Sequence, residues 1–211
     1  MLIIGVVGQI AAGKGILVHY LTSNLDFVSF SLSSIVHEEL EKKGSVKFTR
    51  QTLQDVGDDL RRVYGDDVLA QRIIGQIESD IIRYNRSSQC RGRLYVDPNK
   101  IIIEGIRNPG EIEFLKKNSN FILIGVKANR ELRLKRLLSR GKSWDPKTYD
   151  DFLKVDRRDL GVGQGKSGQQ VGKCLSYCDY VLTNNKDLGN FEKKVEKLFI
   201  HKLFPGSLIG K

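Results

Sequence analysis

Cysteine is scarce in this chain of 211 residues, and histidine, methionine and tryptophan are scarce too. The three cysteines, Cys90, Cys174 and Cys178, are too few for the disulfide framework that stabilises many small secreted domains. With only three histidines scattered elsewhere in the chain, they form no zinc-binding pattern either. We therefore expect buried thiols without a redox or metal role.

Long apolar runs are also absent. No stretch approaches the ~18 residues that a membrane-spanning helix needs. The N-terminus enters an apolar run directly, without the basic region and cleavage site of a secretory signal. We therefore expect a soluble, intracellular protein of the cytoplasm, with no membrane partner.

Acidic residues are fewer than basic residues. The chain has 35 Lys and Arg against 25 Asp and Glu, which gives a formal net charge of +10. Such an excess indicates anionic partners, although a basic solvated surface gives the same total. Nucleic acid is one such partner but is not favoured, because the positions of the basic residues are more informative than their sum.

What the chain does contain is a phosphate-binding motif near its start. Gly8-Gln9-Ile10-Ala11-Ala12-Gly13-Lys14-Gly15 has the form G-x-x-x-x-G-K, follows an apolar run and precedes apolar residues at helical spacing. A polyphosphate requires converging backbone N–H groups, a helix N-terminus and a nearby cation, and this segment supplies all three. The alternative is a tight turn with a solvated lysine. The motif favours ATP as the ligand, and the predicted nucleotide-binding residues are Gly8, Ala11, Ala12, Gly13, Lys14, Gly15 and Ile16.

The motif lacks one usual residue. The hydroxyl side chain that normally follows the lysine and binds Mg²⁺ is replaced by Gly15, with Ile16 after it. Either other groups and water hold the metal ion, or the loop binds a nucleotide without turning it over.

Five short apolar or β-prone runs alternate with helical patterns, at residues 2–7, 27–30, 101–103, 121–126 and 180–183. Continuous apolar runs between helices are typical of a parallel sheet covered on both faces. We therefore predict one α/β domain over residues 1–211, with three layers and a five-stranded parallel sheet.

Helical stripes lie between these runs. Leu53, Val56, Leu60 and Val63 form one stripe closed by Gly65, and a second stripe extends from Leu69 to Ile81. Capping residues mark three later helix starts, at Asn108, Asn129 and Asn190.

Two stretches have no periodicity. Residues 85–100 are predicted to be an exposed loop of unassigned role, since they exceed the usual connection length. Residues 161–172 contain five glycines and are predicted to be a flexible flap.

Charged residues follow the third predicted strand. Glu104, at the strand end, is expected to bind Mg²⁺ through water, as in P-loop enzymes; it could instead cap the following helix or pair with a lysine. Arg107 leaves the same edge of the sheet and could bind an acceptor phosphate with its forked guanidinium. The alternative for Arg107 is an ion pair with Glu111 or Glu113.

Basic residues also cluster before the glycine-rich stretch. Arg133, Arg136 and Arg140 share a helix face, which repels itself unless an anion joins it. The run 156–159, Asp-Arg-Arg-Asp, precedes the flap, where a lid over phosphates needs basic residues. A solvated basic helix is the alternative for each arginine.

Together these motifs resemble those of the P-loop nucleotide kinases, over nearly the whole chain. The groups most similar are the nucleoside monophosphate kinases, the dephospho-CoA-kinase-like enzymes and the adenylate-kinase-related proteins. The resemblance implies that Lys14 contacts the β- and γ-phosphates and that Arg107 and Arg157 hold the acceptor phosphate or the transferring group. It also places Arg140, a candidate catalytic residue, beside the nucleotide with Arg136 and Asn184. Residues 33–66 would cover the substrate and residues 141–172 would form the lid.

The acceptor side departs from the family pattern. His37 stands where relatives often have an arginine that grips the acceptor phosphate, so Arg50, Arg61 or Arg62 would have to compensate. The predicted substrate-binding residues are Ser33, His37, Arg61 and Arg107. The predicted activity is transfer of the γ-phosphoryl group of ATP, with Mg²⁺, to a small phosphorylated acceptor, most simply a (deoxy)nucleoside monophosphate. The alternatives are a dephospho-CoA-kinase-like enzyme and a nucleotide-binding switch or nucleic-acid-associated protein.

Overall fold

All five predicted strands are present and form a single parallel sheet. In the computed structural model, which describes residues 1–44, 48–87 and 99–204 and only the backbone of residues 83–87, the sheet order is β2-β3-β1-β4-β5. The prediction of a three-layer α/β P-loop fold is confirmed. The strands are β1 (Leu2–Gly8), β2 (Val28–Ser31), β3 (Lys100–Ile106), β4 (Phe121–Lys127) and β5 (Tyr180–Thr183).

Strand β1 is the centre of the sheet because both of its faces are apolar. Ile3 and Val7 pack with residues on one face, and Ile4 and Val6 pack with residues on the other; none of the four is more than 1% exposed. Side chains alternate along a strand, so a continuous apolar run supplies two cores at once. Each buried Val or Ile contributes about 1.5–3 kcal/mol to folding.

Helices cover the two faces unequally. The face that contains Ile4 and Val6 carries α1 (Lys14–Asn24) and α9 (Leu188–Leu198). The face that contains Ile3 and Val7 carries most of the remaining helices that pack on the sheet. The remaining helices of the described chain are α2 (Leu32–Lys42), α3 (Arg50–Tyr64), α4 (Val68–Ser87), α5 (Pro109–Leu115), α6 (Arg130–Arg140), α7 (Tyr149–Leu160) and the short α8 (Val171–Cys174).

The predicted helix caps have mixed outcomes. Asn108 caps α5 as expected: its side chain accepts a hydrogen bond from Gly110 N, and Glu111 completes a capping box. Asn129 stands at the N-cap of α6, but its side chain makes no capping bond. The prediction that Asn190 caps the last helix is wrong, because Asp187 is the cap and accepts from Asn190 N at 2.8 Å.

Two helices differ from the sequence prediction. Val63, predicted as the fourth residue of the apolar stripe of α3, is 66% exposed. In its place, α3 buries Gln54, Gly57 and Arg61 beside its leucines. Helix α4 continues to Ser87, so residues 85–87 are helical and not part of a loop. The rest of that predicted loop, residues 88–98 with Cys90, lies outside the described residues.

The two remaining cysteines are free thiols. Cys174 is buried and Cys178 is half-buried, and burial raises the pKa of both thiols, that of Cys178 to about 12. Both are therefore protonated and unreactive near neutral pH. Among the described residues, no helix is both long enough and apolar enough to cross a membrane.

Candidate active site

The phosphate-binding motif lies between the end of β1 and the start of α1, at the carboxyl edge of the sheet. Both of its fixed glycines are required by close contacts. A Cβ on Gly8 would lie 2.3 Å from the carbonyl oxygen of Val126. A Cβ on Gly13 would lie 2.2 Å from Nδ2 of Asn184, and Gly13 also has a φ of +105°. Close packing therefore requires glycine at both positions, in addition to any role in a tight turn.

Helix α1 begins with an open anion-binding end. Its N-cap Gly13 offers no side-chain capping bond, and no acidic residue stands in its first turn. The first amides of a helix have no partner within the helix, and the helix dipole favours negative charge there. The amides of Lys14 and Gly15 are thus available to a phosphate, as the motif predicts.

The lysine of the motif folds back across its own loop. Lys14 Nζ donates to the carbonyl oxygens of Gly8 at 2.7 Å and Gln9 at 3.0 Å. Burial, followed by the positive charge of Arg107, lowers the pKa of Lys14 to about 8. An anion at this position would raise that pKa again, so the lysine is held where a polyphosphate would stabilise its charge.

Glu104, predicted from the sequence to lie near Mg²⁺ at the end of a strand, lies within β3, two residues before the last residue of that strand, Ile106. It lies between Val6 of β1 and Ser31 of β2 in the sheet register. No described residue donates a hydrogen bond to its half-buried carboxylate, so the capping and lysine-pairing alternatives are not seen. Its negative charge raises the pKa of Lys14.

The surroundings of Glu104 fit Mg²⁺ only in part. The described residues contain no group of three or more His, Cys, Asp or Glu that could hold a metal ion by itself. Mg²⁺ commonly keeps several waters and binds one or two carboxylates with substrate phosphates. Glu104 could supply one such oxygen, and Ser31, its register partner in β2, has a hydroxyl 2.9 Å from that of Ser33.

Arg107 connects the end of β3 to the lid region. Its side chain forms an ion pair with Asp159 of α7 and a 3.4 Å hydrogen bond with Gln169. The alternative pairing with Glu111 is seen only at the backbone, where Arg107 N donates to the Glu111 carboxylate at 2.7 Å. The guanidinium of Arg107 therefore lies between the sheet edge and α7, close enough to Lys14 to influence its pKa.

Asp159 is a functional candidate that the sequence analysis did not single out. It is 1% exposed; one carboxylate oxygen binds Arg107, and the other, Oδ2, is buried with no hydrogen-bond partner. An unsatisfied buried acceptor costs about 1–3 kcal/mol, so a ligand or water that pairs with it is favoured. The available signal was its spacing from Phe152 and Asp156, which places all three on the buried face of α7.

A cavity of about 130 Å³ lies beside Arg107, between α2, α3 and the lid region. Apolar residues line it together with the cationic side chains of Arg50, Arg61, Arg107 and Lys142. None of the described residues that line it is acidic. The remaining lining residues are Leu32, Ser33, Val36, His37, Leu53, Gln54, Gly57, Leu69, Gly105, Trp144 and Gln169.

His37 belongs to an aromatic cluster at this cavity. Its ring lies 5.0 Å from that of Phe48 and 5.9 Å from that of Trp144, edge to face in both cases. Burial, followed by the charge of Arg50, lowers the pKa of His37, so the imidazole is neutral near pH 7. A neutral imidazole supplies no positive charge to a phosphate, in contrast to the arginine that the family resemblance predicts at this position.

Arg50 is one of the three arginines that could compensate for His37. It lines the cavity with a side chain only 17% exposed, and it donates to Asp145 at 3.0 Å. Burial, followed by the charge of Arg107, lowers its pKa. Arg140 also binds Asp145, through two 2.9 Å hydrogen bonds, so a protein carboxylate holds this candidate catalytic residue as well.

The other two arginines of α3 have different surroundings. Arg61, a predicted substrate-binding residue, lines the cavity but is 2% exposed and ion-paired with Glu111 at 2.8 Å and Asp58 at 3.2 Å. Arg62 is exposed and pairs with Asp59 on the surface. Of the three candidates for compensation, Arg50 and Arg61 line the cavity and both pair with protein carboxylates, whereas Arg62 does not line it.

Arg136 and Asn184 meet next to the phosphate-binding loop. Arg136 donates to the backbone oxygen and the side-chain oxygen of Asn184, at 3.1 and 3.2 Å. Asn184 Nδ2 in turn donates to the carbonyl of Ala12 at 3.0 Å. The two predicted nucleotide-side residues are thus brought to the loop by direct contacts.

The remaining arginines of the region are divided between core and surface. Arg133 is buried, contacts Asp156 through both ends of its guanidinium, and donates to the loop carbonyl of Ile10 at 3.4 Å. Its predicted anion partner is therefore a protein carboxylate. Arg157, a predicted catalytic residue, has an exposed side chain without a hydrogen bond or ion pair to any described residue.

The glycine-rich segment is tied to the sheet edge in this conformation. Asn108 Nδ2 donates to the carbonyls of Lys166 and Gly168 at 2.8 and 2.9 Å, and Gln170 N donates to Arg107 O at 2.7 Å. Ser167 donates to Asp66 at 2.7 Å. Opening of a flap here would require these bonds to break.

Known proteins resemble this chain in sequence and in fold. The chain is 30% identical over 200 residues to a UPF0200 protein of Pyrococcus horikoshii, and the match covers 93% of this chain and 95% of that protein. The chain belongs to the UPF0200 family. No family model matches it.

Two solved structures show what fold this UPF0200 chain has. A shikimate kinase from Acinetobacter baumannii, in complex with shikimate, aligns with a TM-score of 0.51 at 15% identity, covering 97% of this chain and 96% of that one. A putative kinase from Chloroflexus aurantiacus aligns with a TM-score of 0.51 at 17% identity, covering 93% and 97%. At these identities the likeness shows the fold, which is that of the P-loop kinases.

Proposed function

We propose that this UPF0200 protein transfers the γ-phosphoryl group of ATP to a small acceptor that carries an anionic group. The observation that carries the proposal is the placement of two cationic features at one edge of the sheet. Lys14 and the open end of α1 lie on one side, and the acid-free cavity with Arg50 and Arg107 lies on the other. The charge of Arg107 lowers the pKa of both Lys14 and Arg50, and such crowded cations favour anionic ligands on both sides.

The side chains have distinct roles in this proposal. Lys14 and the loop amides bind the β- and γ-phosphates, and Arg136 with Asn184 lies beside the nucleotide. Arg107 stands between donor and acceptor, where its guanidinium can bind the transferring group. Mg²⁺, held by phosphate oxygens, water and Glu104, would neutralise part of the triphosphate charge. No covalent protein intermediate is required, because positioning and charge stabilisation suffice for phosphoryl transfer.

Two acceptor classes follow from the family resemblance. One is a (deoxy)nucleoside monophosphate, whose phosphate oxygen attacks; the other is a hydroxyl of a dephospho-CoA-like molecule. In both cases Ser33, His37, Arg50 and Arg107 would contact the acceptor, with residues 33–66 covering it. Arg140 and Arg157, within or beside the proposed lid of residues 141–172, would reach the phosphates only after the lid rearranges.

A nucleotide-binding switch is the rival from another functional class, because the loop lacks the hydroxyl after Lys14. A switch predicts ATP binding without acceptor-dependent turnover. A nucleic-acid-associated protein, suggested by the net charge of +10, predicts polynucleotide binding that weakens steeply with salt.

A coupled ADP-release assay tests these alternatives. The purified chain with ATP and Mg²⁺ is supplied in turn with nucleoside monophosphates, dephospho-CoA and single-stranded DNA, while ATP binding is measured separately by calorimetry. Acceptor-dependent ADP release supports the proposal. Binding of ATP without such release supports the switch, and absence of ATP binding contradicts both.

A further inference from the structure

Asp159 has one carboxylate oxygen that no described residue satisfies. Oδ1 is bound by Arg107, while Oδ2 is buried without a hydrogen-bond donor. The carboxylate is also close enough to Lys14 to raise the pKa of that lysine. Asp159 therefore stands near both cations that the proposed function assigns to the transferring phosphoryl group.

The missing partner of Oδ2 has to be a hydrogen-bond donor. A phosphate group near neutral pH offers mainly acceptor oxygens and repels a carboxylate, so an acceptor phosphate does not satisfy this oxygen. A hydroxyl group does, because its O–H can donate to Oδ2. Asp159 does not line the cavity itself, but it stands directly behind a lining residue, because Arg107 lines the cavity and binds Oδ1 of Asp159; no carboxylate of the described residues lines the cavity.

The size of the cavity agrees with a small acceptor end. Its volume of about 130 Å³ is well below the roughly 300–1,000 Å³ of pockets that enclose drug-sized ligands. An anionic group and a few carbon atoms fit beside Arg50, whereas a complete nucleotide does not fit in this conformation. A cavity of this size could receive the anionic end of an acceptor beside Arg50, with the next polar group of that acceptor near Arg107.

We propose that Asp159 is the general base of this enzyme and that the acceptor atom is the oxygen of a hydroxyl group on a small anionic alcohol. This inference rests on the proposed function. In the step, the hydroxyl oxygen forms a bond to the γ-phosphorus of ATP, and the bond from that phosphorus to the β,γ-bridging oxygen breaks. The hydroxyl proton passes to Oδ2 of Asp159, and the products are ADP and a phosphate monoester.

The first test identifies the bond that is made. The chain is incubated with ATP, Mg²⁺ and either nucleoside monophosphates or anionic alcohols, namely dephospho-CoA, shikimate and glycerate, and products are followed by phosphorus NMR. A new phosphate monoester supports the inference. A new phosphoanhydride overturns it but leaves the proposed function intact, and absence of both products with every acceptor contradicts the proposed function itself.

The second test uses variants of Asp159 with the best acceptor from that panel. Asp159→Asn keeps an oxygen for Arg107 but cannot take a proton, and we expect kcat to fall by about 100-fold or more with an unchanged KM for ATP. Asp156→Asn is the matched control, since it weakens another buried arginine pair on the same helix face. Circular dichroism and thermal unfolding establish that both variants fold.

Chemical rescue of the Asp159→Ala variant distinguishes a general base from a residue that only balances the charge of Arg107. Formate can take up a proton and neutralise Arg107, whereas nitrate is planar and of equal charge but far less basic. We expect formate at constant ionic strength to restore turnover at least 10-fold more than nitrate does. Equal rescue by both anions, or wild-type kcat in Asp159→Asn, would show that Asp159 only positions Arg107.

Discussion

The two sides of the candidate site are built in different ways. On the nucleotide side, eight consecutive residues from Gly8 to Gly15 supply the loop, the helix end and the cation. On the acceptor side, Arg50, Arg107 and Lys142 come from three distant segments and meet only in the folded chain. The nucleotide side could therefore be predicted from the sequence, whereas the acceptor side, which would determine substrate specificity, could not.

The largest expected effect belongs to the nucleotide side. Replacing Lys14 by alanine should lower kcat by at least about 1000-fold, because the transferring phosphoryl group loses a directly placed cation. Lys154→Ala, at an exposed position on α7, is the control and should retain full activity. Steady-state ADP release measures both. Phosphoryl transfer at the wild-type rate by Lys14→Ala would contradict the assignment of the loop.

On the acceptor side, Arg50 and Arg62 form a matched pair within α3. Replacing Arg50 by glutamine should raise the KM for the acceptor by about 10–100-fold, the value of a hydrogen bond to a charged group. The KM for ATP should not change. Arg62→Gln should leave both constants within about twofold, since its side chain is 72% exposed. A rise in the KM for ATP in Arg50→Gln would mean that the two sides are not separate.

Two glycines of the loop test its packing. Gly13→Ala should destabilise the fold by about 1–3 kcal/mol and weaken ATP binding, because the new Cβ meets Asn184 at a backbone angle that suits glycine. Gly15→Ala meets open space within α1 and should stabilise the helix by up to about 1 kcal/mol. Urea unfolding and calorimetric ATP titration report both effects. Equal stability of the two variants would mean that Asn184 moves away without cost.

The smallest expected effect is the uptake of a fraction of a proton when ATP binds. Lys14 has a pKa of about 8 without ligand, so at pH 8.5 it is mostly neutral, and bound triphosphate raises that pKa. ATP binding at pH 8.5 should therefore take up roughly half a proton or more, and the uptake by Lys14 should vanish below about pH 7, where the lysine is already charged. Calorimetry in buffers of different ionisation enthalpy measures this. Lys14→Arg should abolish the uptake, and proton release by the wild type would contradict the sign.

The sequence patterns were sufficient where the determining contacts are local. The apolar runs of the strands, the loop motif and the capping box at Asn108 all involve residues within a few positions of one another. The fold class was predictable for that reason, as was the presence of Glu104 in β3.

Ion pairs between residues that are distant in the sequence determine the rest of the candidate site. The shared helix face of Arg133 suggested an anionic ligand, but Asp156, 23 residues later, is its partner. Arg61 resembled a substrate ligand, yet Glu111, 50 residues later, binds it. No local pattern reveals which arginine finds a carboxylate in the folded chain, and that distinction decides which cations remain for a substrate.

The central place of β1 has a consequence for biosynthesis. Strand β1 precedes both of its neighbours in the chain, so during translation it requires residues 100–106 on one edge and residues 121–126 on the other before its backbone hydrogen bonds are complete. The side chain of Asn184, which holds the carbonyl of Ala12, is made later still. A nascent chain therefore carries the loop of residues 8–15 well before it has the residues that fix the shape of that loop.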